Sequence, residues 1–132
     1  MGPALVSKLS SAPAVTALVG NRISPQVNTA GKFPQIVYEI SKQLMPAINS
    51  GDELKKYMIT LTIAALNYAD ADELAGKVKA ALHEQTDAWG EAFVRSSLIQ
   101  DEEQDEEHDP EDPTRIYHTV TQTYQVWAFT GD

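Results

Sequence analysis

The stretch that most restricts the fold runs from Tyr57 to Ala65, where Tyr57, Ile59, Leu61, Ile63 and Ala65 alternate with Met58, Thr60, Thr62 and Ala64. A period of two places the first five on one face of a strand. A face that apolar has to be covered by another layer. The cover follows at once. Asp70 or Asp72 is placed to cap a helix, Glu73 suits its positive end, and Leu74, Val78, Ala81 and Leu82 form one stripe. Gly76 weakens that helix slightly or lets it approach the sheet closely.

The other elements read by the same rules. The first twenty residues make a helix in two pieces: Leu5, Val6 and Leu9 recur at helical spacing after Pro3, and Pro13 restarts a second piece. Ser11 is its expected cap, Val15, Leu18 and Val19 its apolar side, and Gly20 its end. Asn21–Phe33 reads as a long connection and Met45–Glu53 as a loop. Between them Ile36, Tyr38 and Ile40 share one face of a strand over Gln35–Ser41. Phe93–Gln100 reads as a third strand, and Arg115–Phe129, rich in β-formers, as a long fourth. The expected fold is α+β, in the order α-β-β-α-β-β: a mostly antiparallel four-stranded sheet with helices packed on one face. With 132 residues, of which 42% are apolar, a single domain over 1–132 is expected.

Charge is concentrated in one place. Asp101, Glu102, Glu103, Asp105, Glu106, Glu107, Asp109, Glu111 and Asp112 are nine of the 19 acidic residues, with no Lys or Arg among them. The remainder holds ten acidic and ten basic residues, so this run accounts for the net charge of −9. As the link between the third and fourth strands, residues 101–112 form the expected hairpin tip, solvated and mobile because dense like charges repel. A basic nucleic-acid face is not indicated.

Several functional classes are disfavoured by residues. Cysteine is absent, which removes disulfides, thiolate metal sites and cysteine nucleophiles. The acidic run lacks a calcium loop's obligatory glycine, with Glu106 at the sixth position. His83, His108 and His118 have no zinc-ligand spacing and read as ordinary surface or core histidines. No phosphate loop, dinucleotide fingerprint or nucleophile elbow occurs. Neither an enzyme nor a cofactor is therefore expected. Glu39 and Arg95 read as cross-strand or subunit-contact charges. Tyr117, Tyr124, Trp127 and Phe129 read as core or interface rather than base-stacking residues, since no basic track accompanies them. No stretch is long and apolar enough to span a bilayer, no secretory signal is seen, and Val6 stands where a myristoylation motif needs Ser or Thr. A soluble, unprocessed chain is expected.

The joints between elements carry a resemblance. Leu18-Val19-Gly20-Asn21-Arg22-Ile23-Ser24-Pro25 leads towards Phe33-Pro34-Gln35-Ile36-Val37-Tyr38; further on stand Asp70-Ala71-Asp72-Glu73-Leu74 and Tyr124-Gln125-Val126-Trp127. In this order the segments resemble the tail-completion, or tail-terminator, proteins of long-tailed bacteriophages. The likeness covers nearly the whole chain. Two positions depart from the pattern: Ser24 replaces an aromatic between Ile23 and Pro25, and Gln35 stands where an aromatic often begins the strand.

The resemblance implies a structural virion protein, assembled in the host cytoplasm, that joins a ring (hexameric in relatives) at the head-proximal end of the tail. It would stop growth of the tube and dock to the head connector, with the tube protein, the connector protein and its own copies as partners. DNA would pass through without specific binding, and no membrane is involved. The candidate subunit interface is Arg22, Ile23, Pro25, Tyr38, Tyr124 and Trp127, and the nine acids 101–112 are a candidate electrostatic segment for assembly or DNA passage. From the charge alone, the other reading is a small acidic protein that binds a basic partner or mimics DNA through the same run.

Overall fold

In the computed structural model the described residues are 1–20, 22–25, 34–43, 54–90, 92–108, 114 and 116–129. The elements are α1 (Gly2–Ser10), α2 (Pro13–Val19), β1 (Ile23–Ser24), β2 (Gln35–Gln43), β3 (Leu54–Ala65), α3 (Tyr68–Leu82), β4 (Ala88–Trp89), β5 (Ala92–His108) and β6 (Ile116–Phe129). They form one sheet in the order β1-β2-β3-β6-β5-β4.

The α+β class stands, but the expected four-stranded, mostly antiparallel sheet does not. Among the described residues the sheet has six strands, and it is mixed, because β1 runs parallel to β2 through Ile23↔Ile36 and Ser24↔Val37. Both unforeseen strands, β1 and β4, are two residues long. Two residues display no period, so only their pairing reveals them.

Strands β2, β3 and β6 follow their alternation. Opposite Ile59, Leu61 and Ile63 of β3 stand Ile40, Tyr38 and Ile36 of β2 on one side and Tyr124, Gln122 and Val120 of β6 on the other. These residues face the helices, whose buried side chains are Leu5 and Leu9 of α1, Val15 and Val19 of α2, and Leu74, Val78 and Leu82 of α3. Burial of this layer in a single cluster is the main source of stability.

Two caps differ from expectation. Helix α3 starts at Asn67, whose side-chain oxygen accepts the Asp70 amide at 2.9 Å, so neither Asp70 nor Asp72 is the cap. The Asn67 amide in turn donates to the Asp70 carboxylate at 2.9 Å, which makes the start reciprocal. Helix α2 starts at Ala12 without a side-chain cap, and the Ser11 hydroxyl instead donates back to the Lys8 carbonyl at 2.7 Å, closing α1. Gly20 ends α2 with φ +59°, a conformation costly for any residue with a Cβ.

Strand β5 is the largest departure. Expected to end at Gln100, it continues to His108 and takes in the first part of the acidic run; Asp109–Pro113 lie outside the described residues. Two register shifts, between Val94 and Ser96 and between Ile99 and Asp101, each insert one unpaired residue and reverse which parity faces the helices. Val94, then Ser97 and Ile99, then Glu102 and Glu106 consequently stand on the helix side, opposite Ala128, Val126, Tyr124, Gln122 and His118.

The capping assignment makes a measurable distinction. Asn67→Ala is expected to cost about 1 kcal/mol in a urea melt, whereas Asp72→Ala should stay within about 0.5 kcal/mol. The reverse order would return the cap to the aspartates.

Candidate assembly surface

Of the nine acidic residues singled out, six lie on β5 and all six are exposed. Asp101, Glu103, Asp105 and Glu107 stand opposite Thr123, Thr121, Thr119 and Tyr117, on the face away from the helices. Glu102 and Glu106 stand opposite Gln122 and His118 on the helix side. A threonine-rich partner strand tolerates this density of carboxylates, since it brings β-branched packing and no opposing charge. The remaining three, Asp109, Glu111 and Asp112, lie outside the described residues.

Glu102 differs from its neighbours in being tied to the core. Its carboxylate accepts Gln122 Nε2 at 2.7 Å, and the same nitrogen donates to the Ala75 carbonyl of α3 at 3.0 Å. Gln122 Oε1 accepts the Tyr124 hydroxyl at 2.6 Å. Gln122 and Tyr124 are both fully buried. One amide thereby joins β6, α3 and β5 with its donors and acceptor used, as a buried polar group requires. Burial pushes the Tyr124 hydroxyl well above the usual tyrosine range, and the negative charge of Glu102 pushes in the same direction.

The six candidate interface residues do not form one patch. Arg22 is half-buried and holds the chain together locally: Nε donates to the Pro34 carbonyl at 2.8 Å and Nη2 to the Leu18 carbonyl at 3.1 Å. Its own carbonyl accepts the Ile36 amide at 2.9 Å, which sets β1 against β2. Ile23 and Tyr38 pack on the core margin beside it, and Pro25 is exposed. Tyr124 lies in the core. Trp127 is half-buried on the sheet face away from the helices, with the Lys56 ammonium 5.8 Å from its ring centroid. The structure therefore groups Arg22, Ile23, Pro25 and Tyr38 at the β1–β2 edge and leaves Trp127 two strands away.

Sequence reasoning missed the exposed apolar residues Leu66, Tyr68, Phe93, Leu98 and Ile116, each at least 40% exposed. Leu98 is in register with Gln125 and, through it, with Met58, on the same face as Trp127. Leu66 follows Ala65, which pairs with His118, and the Tyr68 ring meets the His118 ring edge-on at 6.4 Å. The bulges of β5 hide Leu98, which lies between them, since parity cannot be read through such a reversal.

The other residues weighed for chemistry have structural neighbours. His83 Nδ1 accepts the Ile99 amide at 3.1 Å. His108 is paired with Ile116 through its backbone. Glu39 is exposed opposite Thr60, and Arg95 falls at the first bulge, its carbonyl accepting the Thr86 hydroxyl at 3.2 Å. Among the described residues no three His, Asp or Glu side chains converge as a metal site, and no helix is long and apolar enough to cross a membrane.

Comparison with known proteins bears on the chain rather than on single residues of this surface. A family model described as "Tail completion protein gp17" matches residues 3–128. A solved structure titled "Virion of native gene transfer agent (GTA) particle" superposes with a TM-score of 0.70, covering 98% of this chain and 95% of that one at 12% identity. At that identity the likeness is one of fold. Comparison with curated proteins gives no match.

The buried tyrosine makes stability depend on alkaline pH. An unfolded tyrosine ionises near about 10, and the folded value lies above it. The contribution is therefore complete below that pH and is lost as pH rises beyond it, by about 1.4 kcal/mol per pH unit for one proton. Tyr124→Phe should lose about 1 kcal/mol near neutrality through the missing hydrogen bond. It should also show a shallower decline in urea melts between pH of about 9 and 11.5. Equal slopes in the two proteins would mean that Tyr124 ionises freely.

Proposed function

The chain belongs to the tail completion protein gp17 family, and from that premise we propose that its copies close into a ring, a hexamer, at the head-proximal end of a virion tail. It is a structural protein of the tail. In the proposed role it stops growth of the tube and presents the surface on which the head connector docks, and DNA later crosses the ring without being bound by sequence. The observation that carries this is the family match over residues 3–128 of a 132-residue chain, which spans every element of the fold.

The geometry supports contacts between neighbouring copies in two regions. One is the β1–β2 margin with Arg22, Ile23, Pro25 and Tyr38, where, among the described residues, β1 covers only Ile36 and Val37 and leaves the rest of β2 as a strand edge. The other is the open sheet face with Trp127, Leu98 and Phe93, whose exposed apolar area is of the kind that subunit contacts cover. The acids on β5 supply a negative field that repels phosphate and orients a basic neighbour.

Two measurements test this reading. Light scattering at rising concentration, with electron microscopy of tails assembled in its presence, should show rings and tubes of limited length. A strict monomer that binds basic proteins and leaves tube length unchanged would favour the acidic-partner reading instead. For the field, Asp101, Glu102, Glu103, Asp105, Glu106 and Glu107 are exchanged together for Asn and Gln, which preserves their acceptor oxygens. The expected result is a loss of head joining or DNA delivery that deepens at low salt. Unchanged delivery at low salt would remove the electrostatic role.

A further inference from the structure

Among the described residues, the outer edge of β5 is covered only at its start. Strand β4 pairs with Ala92 and Phe93, and the segment before it reaches further along: Glu84 donates its amide to the Ser97 carbonyl at 2.6 Å, and the Ile99 amide is taken by His83 at 3.1 Å. From Asp101 onward, no strand among the described residues lies beyond this edge. An open edge of that length is a template on which further strands can add.

The edge is nevertheless occupied. The Glu102 amide donates to the Asp101 carboxylate at 3.0 Å, and the Glu106 amide to the Asp105 carboxylate at 2.8 Å. Both amides therefore bond to side chains of their own strand, and with a period of two they belong to the set that turns away from β6. The Gln104 amide belongs to the same set, midway between the two, with a capped amide on either side. A strand arriving at this edge has to bring a carbonyl oxygen to each outward amide. Here each of the two sites already holds a carboxylate oxygen, which satisfies the donor and repels the incoming carbonyl.

We propose that Asp101 and Asp105 are edge guards: by capping the Glu102 and Glu106 amides they close the β5 edge to strand addition by a second copy of this chain. Strand pairing through this edge would join copies by a contact that closes only where its rotation permits and otherwise extends as an open filament. The guard is a matter of hydrogen-bond geometry, so it outlasts the loss of charge as long as an acceptor oxygen remains in place.

Two double variants separate the cap from the charge. D101A/D105A and D101N/D105N remove the same two charges, but only the asparagines keep an oxygen beside the amide. Both positions are exposed, and a thermal melt on each variant verifies folding. Sedimentation velocity is run at rising concentration in about 0.5 M NaCl, where repulsion between chains is largely screened. The alanine pair is expected to add strands, with a weight-average mass at least about twice that of wild type and a gain in the infrared intermolecular β band. The asparagine pair is expected to sediment as wild type does, whatever the wild-type assembly is. If the two pairs behave alike, the caps do not guard the edge and the proposal is wrong.

Discussion

One buried amide holds the two halves of this molecule in register. Gln122 sits in the middle of β6 with no access to solvent, and its three hydrogen bonds run to Tyr124, to the backbone of α3 and to Glu102 on β5. An apolar residue in its place could fill the volume but would specify nothing about where β5 lies. The amide does specify it, because a buried donor left without a partner is costly, so a slip of β5 by one residue is penalised at this point. The helix layer, the central strands and the charged strand thus share a common reference.

That arrangement divides residues of one chemical type into distinct duties. Glu102 is anchored to Gln122, Asp101 and Asp105 turn back on neighbouring amides, and Glu103 stands exposed opposite Thr121. Net charge treats these carboxylates as equivalent. The sheet does not, and replacing them all by small neutral residues would disturb register, edge and field together.

The elements built on clean periods were legible in the sequence. Strand β3 shows five alternating apolar residues, and α3 shows the stripe of Leu74, Val78 and Leu82 that covers them. The family resemblance, read from ordered joints, agrees with the family match. Features that live in pairing were not legible. Ile23–Ser24 and Ala88–Trp89 are too short to have a period, and the acids of β5 have poor strand propensity that the partner β6 overrides. Asn67 lost the capping assignment to Asp70 and Asp72 because all three are good caps and the choice depends on where the strand before them ends. Within the candidate surface, Tyr124 illustrates the same limit. An aromatic on a strand is core or interface according to parity, and its register with Ile59 sets it inside.

The two bulges of β5 have a consequence for how this hairpin can change in length. Each reversal of parity is local, so the strand beyond Gln100 is phased independently of the strand before it. Residues added in twos beyond Glu102 would lengthen the arm and leave every side chain on its present face, with the Gln122 anchor untouched. A single added residue would invert the arm instead, turning Glu103 towards the helix side and Gln104 to the open face. Relatives of this chain can therefore be expected to vary the reach of the arm in even steps.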